Sequence, residues 1–135
     1  MTEARNKAVV CRLGEAFSAC DVDAMVALLA EDCRYTVVGR PDRAPFGGTW
    51  TRAQVDAFMR PFFGGFDSFQ FRIHRMLADG NCVMIEASSE GRGPGAKTYK
   101  NSYLMLFELD EAGLITRVME HFDPLEVLDY MEQSA

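Results

Sequence analysis

A chain of 135 residues with 48% hydrophobic and 11% aromatic side chains can bury one substantial core and has no room for a second domain of ordinary size. Fourteen basic against twenty acidic side chains give a net charge of −6 with the two signs interspersed, so no basic stripe is available to phosphates and nucleic acid is not an expected partner. The opening MTEARNKAVV is charged rather than apolar, and no later apolar run is long enough to span a bilayer; the expectation is a cytoplasmic protein without a membrane partner.

Val9, Val10, Leu13, Ala16, Phe17 and Cys20 recur at intervals of three and four, which predicts an amphipathic helix over residues 3–20. Asp21 is placed to cap a second helix running through Ala30, with Met25, Leu28 and Leu29 on its inner face. Residues 33–38 are short and β-branched and read as a strand, the Gly- and Pro-rich 39–49 as a loop, and 51–63 as a third helix. After Gly64 and Gly65 the period changes to two, predicting strands over 68–77, 82–91, 98–109 and 114–122, joined by the turns ADGN, GRGPGA and DEAG. Pro124 ends the last strand, and 125–131 reads as a closing helix. The predicted fold class is α+β: a cone-shaped barrel of three N-terminal helices packed on a strongly curved, mostly antiparallel sheet.

A bent sheet closed by helices leaves a conical hollow on its concave side. Phe17, Trp50, Phe58, Phe62 and Phe63 are placed to line or close it. The convex face, carrying Arg117, Met119 and His121, stays exposed unless a second copy covers it, so a homodimer is expected.

On the last strand Glu120 shares a face with Thr116, Val118 and Phe122, while His121 points the other way with Arg117 and Met119, so only one of the two neighbours lines the hollow. Symmetric pairing about DEAG sets Tyr103 opposite Glu120 and Asn101 opposite Phe122, gathering Tyr99, Asn101, Tyr103 and Glu120 on one face. The same pairing carried one strand further brings Met84, Glu86 and Ser88 alongside. Two carboxylates in an apolar hollow do not both ionise comfortably, so one of them holds a proton near neutrality, the condition for general acid/base catalysis. Tyr99, Tyr103 and Asn101 would supply donors to a developing oxyanion on a carbonyl substrate, Tyr99 and Asn101 orienting it, with Glu86 or Asp123 as the second carboxylate. Tyr103, Trp50, Phe17, Phe58, Phe62, Tyr35, Met84, Val118 and Phe122 would form the wall around a small hydrophobic substrate. Other readings stay open: Glu120 on a solvated rim or paired with Arg117, Arg72 or Arg34, Glu86 on the surface, and Asp123 as a helix cap. Cys11, Cys20, Cys33 and Cys82 form no CxxC pair, and His74 and His121 are the sole histidines, so neither a metal nor a cofactor is expected.

The segments ACDVDAMVALLAEDCRY, PFGGTWTRAQVDAF and YKNSYLMLFELDEAGLITRVMEHFDPLEVL together resemble the SnoaL-like branch of the nuclear transport factor two superfamily along essentially the whole chain. The resemblance implies a cone of curved sheet and three helices, usually dimeric, and a single domain over 1–135. Members include polyketide cyclases, ketosteroid isomerases, epoxide hydrolases, phenazine-pathway condensing proteins and binding-only scaffolds. The ketosteroid isomerase pattern falls on Leu13, Val37 and Met105, which lack its side chains. The epoxide hydrolase Arg-x-Asp pair falls near Glu86 and Ser88, although Glu120 resembles its last acid. Tyr99, Asn101 and Glu120 resemble the phenazine-pathway condensing pattern most closely, without that family's histidine between Thr51 and Phe63. The implied function is cofactor-independent isomerase, cyclase or lyase chemistry on a hydrophobic carbonyl compound, with a ligand-binding module or an epoxide hydrolase as alternatives.

Overall fold

The computed structural model describes residues 2–133. Helix α1 (Thr2–Ser18) buries Val9, Val10, Leu13, Ala16 and Phe17 on one stripe. Helix α2 (Val22–Ala27) starts where the Asp21 carboxylate accepts the Ala24 N–H at 3.1 Å. It ends earlier than its apolar pattern predicts, because Leu28 O accepts Ile115 N–H at 2.9 Å and Leu29 already pairs with Ile115, drawing the chain into strand β1 (Leu29–Val37). A short strand β2 (Gly48–Trp50) pairs antiparallel with β1 inside the segment predicted as loop. Helix α3 (Arg52–Gly64) opens with a reciprocal cap in which Thr51 Oγ1 accepts Gln54 N–H and Gln54 Oε1 accepts Thr51 N–H.

Four long strands follow: β3 (Ser68–Asp79), β4 (Cys82–Arg92), β5 (Thr98–Leu109) and β6 (Ile115–Phe122), then helix α4 (Pro124–Glu132). The six-stranded sheet runs β2-β1-β6-β5-β4-β3, antiparallel except for the parallel β1–β6 pair. The architecture is thus α+β, with four helices and a curled sheet. The first three helices are not consecutive, since β1 and β2 lie between α2 and α3.

Side chains of Val83, Ile85, Met105, Phe107, Ile115 and Val118 fill the concave face against α1 and α2. Toward one end of the hollow the packing becomes aromatic: Phe66 stacks on Tyr130 of α4 and meets Phe69 and Tyr99. Gly91 makes this possible, because a Cβ there would lie 2.5 Å from the Phe66 ring. Among the described residues no helix is long and apolar enough to cross a membrane.

Candidate functional site

The concave face keeps an unfilled cavity of about 90 Å³. Its walls come from every layer of the fold: Phe17 of α1, Tyr35 and Val37 of β1, Phe58 and Phe62 of α3, Tyr99 and Tyr103 of β5, and Glu120 and Phe122 of β6. Phe46 reaches it from the loop before β2, held where Trp50 Nε1–H donates to Phe46 O at 3.0 Å and the Phe46 ring meets Phe122. Phe58, 39% exposed, stands where the wall meets solvent. Among the described residues no Lys, Arg or His lines this cavity.

Glu120 is its sole carboxylate among the described residues. Register fixes the position: Glu120 lies opposite Val37 on β1 and Met105 on β5, so its immediate cross-strand neighbours are apolar. Tyr35 and Tyr103 each sit one diagonal step away, opposite Val118 and Phe122. The Tyr35 hydroxyl donates to Glu120 Oε1 at 2.7 Å. Over the whole residue Glu120 is half-buried, because part of its surface faces the hollow, while the carboxyl group itself is enclosed. Burial pushes its pKa up to about 7, and the Tyr35 hydrogen bond, which favours the charged form, partly offsets that rise. Burial likewise raises Tyr35 and Tyr103 well above the usual phenol value and Tyr99 to about 12, so all three are neutral hydroxyls at physiological pH.

Behind this wall lies a polar network. Asn101 is 6% exposed and lies outside the cavity lining. Its Oδ1 accepts the Ser102 and Asp123 N–H groups, and its Nδ2 donates to Asp123 O and to the Tyr99 hydroxyl at 2.8 Å. Tyr99 and Tyr103 hydroxyls are 3.1 Å apart, and Ser89 Oγ lies 2.7 Å from that of Tyr103.

The structure therefore brings together Glu120, Tyr99, Tyr103, Tyr35, Trp50, Phe17, Phe58, Phe62, Phe63 and Phe122 of the residues singled out in the sequence. Five others stand elsewhere. Glu86 and Met84 are exposed on the convex face, opposite Leu104 and Leu106, because β4 meets β5 three residues away from the symmetric register, an odd offset that reverses the faces. Asp123 caps α4, its carboxylate accepting Leu125 N–H at 3.0 Å. Val118 is fully buried in the core, opposite Tyr35 on the neighbouring strand, rather than at the cavity wall. Asn101 acts through Tyr99. The arginines weighed as partners of Glu120 are not bonded to it: Arg117 pairs with Glu108 at 3.1 Å and Arg72 bonds Gln70, while His121 is exposed. Val37, Phe46, Val55, Met59, Phe71 and Val127 complete the lining without having been anticipated. Alternation within β3 and β1 signals Phe71 and Val37, whereas Phe46 depends on loop geometry that no local pattern encodes. Among the described residues no three His, Cys, Asp or Glu side chains converge as a metal-binding group.

A sequence profile of the SnoaL-like domain matches residues 10–118. The chain belongs to the SnoaL-like domain family. UPF0523 protein C of Dictyostelium discoideum is 29% identical over 103 residues, 74% of this chain, and the chain spans 65% of that relative's length. Among solved structures, the pinacolase BvnE of Penicillium brevicompactum superposes with a TM-score of 0.84 at 18% identity, covering 97% of this chain and 91% of that one. An epoxide hydrolase of limonene-epoxide-hydrolase-like type from M. tuberculosis gives 0.75 at 22%, covering 95% and 90%. A candidate polyketide cyclase of Xanthomonas campestris gives 0.73 at 25%, covering 98% and 100%. These likenesses show that this SnoaL-like chain shares the fold of those structures, a curled sheet closed by helices. Fold and chemistry are separable in such a scaffold.

Proposed function

We propose that this protein is a cofactor-independent acid/base enzyme of isomerase, cyclase or lyase type, acting on a hydrophobic carbonyl compound in the conical cavity. One observation carries the reading. Among the described residues Glu120 is the one carboxyl group lining an aromatic hollow, it has no cationic partner there, and burial pushes its pKa up to about 7, so both protonation states are populated at working pH. As carboxylate, Glu120 takes a proton from the carbon next to the carbonyl; the electron pair of that C–H bond becomes the enol C=C bond, and the oxygen takes up charge beside the tyrosine hydroxyls. As carboxylic acid, Glu120 returns the proton to the same carbon or to a conjugated one. The named activities of the structural relatives, pinacolase, epoxide hydrolase and candidate cyclase, favour small-molecule chemistry over a purely structural role. The resemblance of Tyr99, Asn101 and Glu120 to phenazine-pathway condensing proteins points in the same direction.

The test is deuterium exchange into enolisable aromatic and alicyclic ketones. Wild type catalyses exchange with at least one ketone of the panel, and Glu120→Gln slows it about a hundredfold or more while ligand affinity holds. Exchange by Glu120→Gln at the wild-type rate contradicts the reading. A ligand-binding module is the second reading, favoured because Glu86 and Asp123 supply no second carboxylate to the cavity. That module would show no exchange and would lose affinity in Trp50→Ala or Phe58→Ala.

The convex face supports a homodimer. Leu77, Met84, Leu106 and Met119 form one cross-strand row there, and Leu77 and Met84 are 63% and 48% exposed. Sedimentation of wild type against Met84→Glu with Leu77→Glu distinguishes a dimer from a monomer.

A further inference from the structure

We propose that Tyr103 is the hydrogen-bond donor that holds the ligand's oxygen, that Ser89 is the residue positioning its proton, and that the ligand is a neutral molecule presenting one acceptor oxygen on an apolar frame. The proposal rests on reading this cavity as the ligand site, and it holds for an enzyme or a binder alike.

The hydroxyl protons of the network fix the direction of its hydrogen bonds. Asn101 has a fixed orientation, because two backbone N–H groups, from Ser102 and Asp123, already point at its Oδ1. Its Nδ2 must then donate to the Tyr99 oxygen. Tyr99 is 3% exposed, and the acceptor within reach of its own proton is the Tyr103 oxygen at 3.1 Å. Ser89 is 6% exposed, and its hydroxyl has one partner among the described side chains, the same Tyr103 oxygen at 2.7 Å. Three hydroxyls carry three protons, and only two contacts join them. Reversing either contact would leave a nearly inaccessible hydroxyl proton of Ser89 or Tyr99 without that acceptor, which costs more than leaving free a proton that faces an open hollow. Both buried hydroxyls therefore donate to Tyr103, and the Tyr103 proton is the one left over.

Tyr103 is half-buried, lines the cavity and stands one diagonal step from Glu120. Two hydrogen bonds received at one oxygen polarise its O–H and strengthen it as a donor. A ligand oxygen accepting that proton is thereby placed beside Glu120. With no Lys, Arg or His on the wall, an anionic ligand has no counter-charge, which restricts the class to neutral carbonyl or ether compounds.

Infrared spectra of 13C-carbonyl acetophenone bound to the protein test this, with ethylbenzene, its hydrocarbon counterpart, as control. In wild type the carbonyl band falls below its position in hexane, and acetophenone binds about fivefold more tightly than ethylbenzene. Tyr103→Phe returns the band to the hexane position and removes the preference. Ser89→Ala leaves a smaller shift and Ser89→Thr restores the full one, with ethylbenzene affinity unchanged in both, which a merely structural role for Ser89 would not produce. Should Tyr103→Phe fail to fold, the Ser89 pair carries the test alone. No band shift in wild type, a wild-type shift in Tyr103→Phe, or identical bands in Ser89→Ala and wild type overturns the proposal. The outcome is independent of exchange by Glu120: a shifted band without exchange sinks the enzyme reading alone, and exchange without a shifted band sinks this one alone.

Discussion

The two hairpins that share β5 handle their polar residues in opposite ways. Across β5–β6 the first pair is Leu109 with Ile115, one residue beyond the tightest closure of the DEAG turn, and a bulge at Glu108 and Leu109 adds a second residue of offset. The two offsets sum to a shift of two, which returns every side chain to the face it would have had, so Glu120, Phe122 and Tyr103 still point into the hollow. Across β4–β5 the first pair is Arg92 with Thr98, closed by Gly93 N–H donating to Lys97 O. Symmetric pairing would set Glu86 opposite Asn101, whereas it pairs with Leu104, a shift of three; an odd shift exchanges the faces, sending Glu86, Met84 and Ser88 outward and turning Ala87 and Ser89 inward. One inward carboxylate, and not two, is the result.

The comparison is sharpened most strongly by substituting one glutamate from each hairpin. Glu120→Gln lowers proton exchange about a hundredfold or more, whereas Glu86→Gln leaves the rate within experimental error, since its side chain is exposed on the other face. A comparable loss in both variants would break the account of the two registers.

Stability against pH separates the same pair. A carboxyl whose pKa rises from 4.5 to about 7 on folding binds more protons in the native state, so its contribution is complete below pH 4.5 and is lost as pH rises through about 7. Converted at 1.36 kcal/mol per unit, the loss is at most about 3 kcal/mol. Denaturant titrations at a series of pH values should show that decline in wild type and Glu86→Gln but not in Glu120→Gln.

A smaller effect belongs to Tyr35. Its hydroxyl favours the ionised form of Glu120, so Tyr35→Phe moves the acidic limb of the exchange profile to higher pH, by about one to two units for a hydrogen bond to a charged group. Below that in consequence for the site, Gly91→Ala forces Phe66 and Phe69 away from strand β4 and costs about 1–3 kcal/mol in thermal or chemical unfolding without altering the Glu120 titration.

Much of this molecule is readable from local pattern. The helical stripe of Val9, Leu13 and Phe17 and the cap at Asp21 depend on neighbours three or four residues apart, and they appear where the chain predicts them. The short strand β2 and the parallel β1–β6 pair were not legible, because both depend on partners brought together from distant parts of the chain. Glu86 is the instructive failure. Its own strand alternates Val83, Ile85 and Ala87 with Met84, Glu86, Ser88 and Glu90, a pattern that already turns the carboxylate outward. Turn symmetry, a weaker constraint than which residues the core accepts, misdirected it. Ser89 was overlooked for a related reason: a single serine at the end of an apolar alternation carries no signal until the hydroxyls of Tyr99 and Tyr103 are seen beside it.

The central claim is that Glu120 is a carboxyl group buried against the wall of an apolar hollow. Carbon-13 NMR titration of glutamate side-chain carboxyls, assigned by comparison with Glu120→Gln, measures it directly. The account predicts one resonance with a midpoint near 7 that disappears in the variant. A spectrum in which every glutamate, Glu120 included, titrates near the ordinary value of 4.5 would contradict it.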